Sequence, residues 1–110
     1  MSVQHKQLAS GRWYDLTLVE QMANIGSEVM RAIKWKDKGN SEYSHLAFER
    51  ALELFDLTLV DPKNSKRLKE VARAREVFVG YFLGDDPYRT TEEGLNNYFL
   101  SFNYAARLQS

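Results

Sequence analysis

The chain contains no cysteine. That excludes disulfides, thiol nucleophiles and cysteine-ligated zinc or iron–sulfur centres. Charge of either sign is not in excess, because fifteen basic residues balance fifteen acidic ones. A dedicated nucleic-acid binder usually carries a clear basic surplus, so the balance argues against that class while leaving room for a local basic patch. Histidine is scarce: His5 lies near the start and His45 on a polar stretch. No Ser–His–Asp set, nucleophile elbow or Walker-type loop can be placed, and no cofactor is expected. No apolar run approaches the roughly 20 residues of a membrane-spanning helix. Residues 1–10 are polar and lack the apolar centre of a signal peptide, so the expectation is a cytoplasmic protein with no membrane partner. Only two prolines occur, Pro62 and Pro87, and each falls between helical patterns.

What is present is helical periodicity. At 110 residues the chain is long enough for one domain with its own core. The pattern predicts an N-terminal arm over residues 1–11 and a single domain over 12–110. That domain is expected to be an all-α, four-helix bundle running up-down-up-down.

The first predicted helix covers residues 13–36, with Gly39 placed to end it in a left-handed conformation. Leu16, Val19, Ala23, Gly26, Met30 and Ile33 form one apolar seam at alternating three- and four-residue steps. Leu18, Met22, Ile25 and Val29 form a second. So wide an apolar surface makes the helix either central or part of an oligomer interface, with Met22, Ile25 and Val29 as interface candidates. The second predicted helix runs to residue 60 from an N-cap at Asn40 or Ser41. Tyr43, Leu46, Ala47, Ala51, Leu54, Phe55 and Thr58 are expected to face the core. The third covers residues 65–82, with Leu68, Val71, Ala72, Phe78, Val79 and Phe82 on its apolar side. The fourth begins at Thr90 or Thr91, where Thr90 and Glu93 have capping-box spacing. Leu95, Tyr98, Phe99, Phe102, Ala105 and Ala106 form its core face.

Several residues break these patterns. Gly26, on the main seam, costs roughly 1 kcal/mol relative to alanine in a helix, and close helix packing explains it better than a backbone left open for a ligand. Glu42 and His45 have the Glu-x-x-His spacing of di-iron bundles. The pair occurs once and on a polar face, beside Glu49, Glu53 and Asp56, so no metal site is expected. Lys66, Lys69 and Arg73 make a basic stripe that could pair with that acidic one or meet phosphates. Trp35 lies on the polar side of the first helix, where Arg31 could stack on it. Leu100 and Tyr104 lie outside the fourth. Trp35 and Tyr104 are therefore candidates for an interface, or for burial under the arm or the Pro87 loop.

Arg75 falls on the midline of the third helix's apolar face. A guanidinium is costly to bury unpaired. Arg75 is thus expected to be mostly buried and bonded to Glu28, Glu70, Glu76 or Asp56, or else to point into an anion site. Arg50, near the core edge, would join the same cluster, and losing a buried partner of this kind costs about 3–5 kcal/mol.

The stretch LKEVARAREVFVGY, residues 68–81, resembles the third-helix region of HEPN domains. That family's catalytic motif is an arginine, a polar residue, a short spacer and a histidine, often with a nearby tyrosine. Arg75, Glu76, Val79 and Tyr81 follow the outline, and Gly80 replaces the histidine. The resemblance implies a helical bundle, a dimer and an arginine in an intersubunit cleft, but not RNase activity. Two readings follow. One is a non-catalytic homodimer acting through a protein partner. The other is a HEPN-like RNA- or nucleotide-binding protein of a toxin–antitoxin type system, using Arg73, Arg75 and Arg50.

Overall fold

The computed structural model describes residues 11–85 and 89–109. Residues 1–10 of the expected arm and the Pro87 loop lie outside them. The described residues form four α-helices and no strand. They are α1 (Leu18–Asp37), α2 (Ser41–Leu59), α3 (Leu68–Leu83) and α4 (Glu92–Gln109), with short 3-10 helices at Arg12–Asp15 and Pro62–Arg67.

The helix ends follow from local chemistry. Residues 13–16 do not belong to α1 as expected. Thr17 caps it instead, in a capping box: its hydroxyl accepts from the Glu20 N–H, and the Glu20 carboxylate accepts from the Thr17 N–H. Those reciprocal bonds satisfy two otherwise orphaned donors, and they set the start of α1 after the aromatic pair Trp13–Tyr14. Gly39, at φ +78°, ends α1 as expected, and Asn40 N–H bonds back to the Trp35 carbonyl at 2.9 Å. The Asn40 side chain accepts from Tyr43 N–H to open α2. α3 begins at residue 68 because Asp61 and Pro62 first direct a 3-10 helix, and Gly84 ends it at φ +83°. α4 is capped by Thr91, not Thr90, through a 2.9 Å bond from Gly94 N–H.

α1 is the central element, packed along both α2 and α4. That settles its double seam: Met22, Ala23, Ile25, Val29, Ala32 and Ile33 are all buried by this chain's own helices. Met22, Ile25 and Val29 have no surface left for a second copy, and the expectation that they form an interface is corrected. α2 folds back along α1. Ser44, at its start, donates to the Ala32 carbonyl near the end of α1, while Thr58, at its end, meets Trp13. α3 leans on α2 through a cluster of rings. Phe48 stacks on Phe82 at 4.3 Å between centroids, and Phe78 touches both Phe48 and Phe55. Ser44 and Phe48 are buried in place of Tyr43 and Leu46, which are exposed. Leu68 and Ala72 are likewise exposed, because α3 is covered on the α2 side and barely touches α4.

α1 and α4 pack closely at Gly26. A Cβ there would lie 2.7 Å from the Phe99 Cβ, closer than any two such atoms can sit. Close packing is therefore the reason for the glycine. Gly26→Ala should destabilise the protein by about 1–3 kcal/mol despite its better helix propensity, measured by urea unfolding. An unchanged midpoint would show that α4 is not held at this distance.

Candidate functional site

The arginine cluster is looser than expected. Arg75 Nε bonds the Asp56 carboxylate at 3.0 Å, so one of the named acids is its partner. The side chain is not buried, however: it remains 35% exposed and Asp56 61%. The stem lies along the α2 edge of α3, in line with Val71, Phe78 and Phe82, and the guanidinium escapes past that edge to water. An exposed pair contributes about 0–1 kcal/mol. Arg75→Ala should therefore cost no more than that in thermal unfolding, not the 3–5 kcal/mol of a buried pair. Two of the other candidate acids are held elsewhere, Glu28 by Arg31 and Glu70 by Arg67. Arg50 is half-buried on α2.

The metal and aromatic candidates also resolve into local contacts. His45 faces Glu49 at 3.5 Å. Among the described residues no three metal-ligating side chains stand together. Trp35 is half-buried against the edge of Tyr43, with ring centroids 5.1 Å apart, and Lys38 lies over its ring in place of Arg31. α2 thus covers it within the chain.

The most organised polar group is one the sequence reading missed. Gln21, Thr58, Asp61 and Asn64 are buried together at one end of the bundle. Trp13 Nε1–H donates to Thr58 Oγ1 at 3.0 Å, and Thr58 donates to the Leu54 carbonyl. Gln21 Nε2 donates to the Trp13 carbonyl and to Asp61 Oδ2. Asn64 Nδ2 donates to Gln21 Oε1 at 2.8 Å and to the Thr58 carbonyl at 3.1 Å. Lys63 reaches from the surface to Asp61 and to the Tyr14 carbonyl. Burial alone would raise the Asp61 pKa. The bonds from Lys63 and Gln21 and the Lys63 charge outweigh it and hold the carboxyl below its ordinary value. These side-chain groups satisfy one another, so the cluster is a fastener between the 3-10 helix Arg12–Asp15, α1, α2 and the 3-10 helix Pro62–Arg67. It is not an open site.

Among the described residues two open surfaces involve α4. One is the seam between α3 and α4, a cleft of about 290 Å³. Ala74, Val77, Leu95 and Phe99 form its apolar walls, with Glu70, Arg73, Thr90 and Tyr98 as its polar members. Burial, then the charge of Glu70, push the Tyr98 hydroxyl up to about 12. That hydroxyl meets Glu70 at 3.5 Å. The second surface is the outer face of α4. Leu100 is 49% exposed, Tyr104 68% and Leu108 71%. Glu93, Asn97 and Arg107 are exposed on the same side. Beyond Phe99, none of the described α4 side chains is buried.

No family model matches the chain, and no curated protein or solved structure matches it either. No helix among the described residues is long and apolar enough to cross a membrane.

Proposed function

We propose that this protein is a non-catalytic binding protein that works as a homodimer joined through α4. The observation that carries the reading is the exposed face Glu93, Asn97, Leu100, Tyr104 and Arg107. Its steps of four, three, four and three are those of a coiled-coil seam. At its centre Leu100 and Tyr104 expose apolar surface between polar residues, and an exposed apolar patch with a polar rim is a mark of an interaction site. This face is also self-complementary. An isologous contact places the same surface on both subunits. Two antiparallel α4 helices crossing at Leu100 set each Glu93 opposite the partner copy's Arg107. The same crossing sets each Asn97 opposite the partner copy's Tyr104. The acid at the head of the helix and the base near its tail thus become two ion pairs around an apolar centre.

Sedimentation equilibrium tests this reading. Wild type should be a dimer at micromolar concentration, and Tyr104→Glu, which places a charge at the centre of each half-interface, should be a folded monomer. A wild-type monomer at high micromolar concentration would overturn it.

One observation favours the second reading, HEPN-like binding of RNA or a nucleotide. Lys66, Lys69 and Arg73 are all exposed on one side of the second 3-10 helix and α3. Against it, Arg75 is engaged by Asp56. This reading predicts salt-sensitive RNA binding that weakens in Arg73→Ala.

A further inference from the structure

The α3–α4 cleft lies on the opposite side of α4 from the proposed dimer face, and nothing about it follows from the dimer. Its origin is unusual for a helix–helix seam. Small residues normally let two helices approach, as Gly26 does with Phe99. Here Ala74 and Gly94 line the seam and the helices nevertheless stay apart. Among the described residues a Cβ on Gly94 would meet only the hydroxyl of its own cap, Thr91, and nothing from α3. The chain therefore places small side chains where a bundle would place a large one, and the space remains.

The walls are apolar and the polar groups gather along one edge. Glu70, the acid of the cleft, is engaged by Arg67 Nε at 2.8 Å and by the Tyr98 hydroxyl. Arg73 stands one turn further along α3. A guanidinium has five N–H donors in a planar fork that matches a carboxylate, so it can share itself between a protein acceptor and a ligand. A neutralised acid beside an arginine favours an anion over a cation. The volume, about 290 Å³, lies at the lower end of small-molecule pockets. It is large enough for one ring or a short branched chain.

We propose that the α3–α4 cleft binds a small amphipathic carboxylate, with its apolar body between Val77, Leu95 and Phe99 and its carboxylate on Arg73. Apolar burial supplies most of the affinity, and the arginine supplies the choice of charge.

The test uses 4-phenylbutyrate and its uncharged amide as probes, titrated into isotope-labelled full-length protein and followed by backbone amide shifts. The acid should saturate, with the largest shifts at Arg73, Ala74, Val77, Gly94, Leu95 and Tyr98. The amide should bind at least about tenfold more weakly, the equivalent of one charge-assisted hydrogen bond. Arg73→Gln, at an exposed position, should bring the acid down to the affinity of the amide. Ala74→Leu, which fills the gap, should abolish binding of both while the spectrum stays folded. Equal binding of acid and amide overturns the proposal. So do shifts centred on Leu100 and Tyr104, or no shifts at millimolar probe. Because the readout is the cleft itself, it is decided whether or not the chain dimerises.

Discussion

Trp13→Ala should lower the unfolding free energy by about 3–5 kcal/mol, the usual cost of truncating a buried tryptophan. Trp13 is 1% exposed, although it sits in a four-residue 3-10 helix outside the four main helices. Its ring is the plug at the end of the α1–α2 pair. Its indole N–H is spent on Thr58, and its carbonyl receives Gln21. The loss has two separable parts. Trp13→Phe keeps most of the apolar volume and removes the N–H, so it should cost only about 1–2 kcal/mol. Equilibrium urea unfolding of both variants gives the difference directly. If Trp13→Ala costs less than Trp13→Phe is expected to, the 3-10 helix Arg12–Asp15 is not part of the core.

Asn64→Ala should cost about 2–4 kcal/mol. The asparagine is 1% exposed, and its amide nitrogen serves two acceptors, Gln21 Oε1 and the Thr58 carbonyl. Removing it strands the Gln21 oxygen in a place shielded from water, at about 1–3 kcal/mol, and takes one bond from the Thr58 carbonyl, which keeps the Asp61 N–H at 3.3 Å. Relaxation of the Gln21 side chain recovers part of that. The double variant Gln21→Leu, Asn64→Leu removes a donor and an acceptor that face each other. It should be less than additive, because residues in one hydrogen-bond network are coupled. Strict additivity would mean that the four buried polar residues are not one unit.

These two positions show what the sequence made legible. The helices themselves were plain: seams at three- and four-residue steps, prolines only between them, and Gly39 and Gly84 at ends that need a positive φ. Gly26 was readable too, because a glycine on an apolar seam has few other uses. The buried polar cluster was written in the same signal as Arg75 and went unread. Gln21 lies on the apolar side of α1 between Leu18 and Ile25, just as Arg75 lies between Val71 and Phe78. Only one of the two is buried, and periodicity cannot say which. A glutamine is short enough to be enclosed and can both donate and accept inside the core. Arg75 has a long stem on an edge helix, and its head reaches out to Asp56 on the exposed side of α2. Which helix is central was also undetermined by pattern alone. The double seam of α1 fits a core helix and an interface helix equally, and only its packing against both α2 and α4 decides. The open cleft was beyond the sequence entirely. Nothing in the spacing of Ala74 and Gly94 shows that α3 and α4 stay apart.

Trp35 and Tyr104 carry a related lesson. Both were outward aromatics by helical spacing, yet Trp35 is covered by Tyr43 from α2 while Tyr104 has no such cover from the described residues. The proposed dimer therefore uses α4 rather than α1, and the surface it offers a second copy is narrow, one helix face about 21 Å long by helical rise.

That geometry fixes a register, and the absence of cysteine allows it to be measured. Leu100→Cys gives the chain a single thiol on the proposed two-fold axis. Under mild oxidation it should form a disulfide-linked dimer rapidly and nearly completely, whereas Val60→Cys, more exposed but on another surface, should not. Asn97→Cys and Tyr104→Cys should cross-link poorly alone and well when the two variants are mixed, since each residue faces the other across the axis. Cross-linking of Leu100→Cys no faster than Val60→Cys would contradict the account.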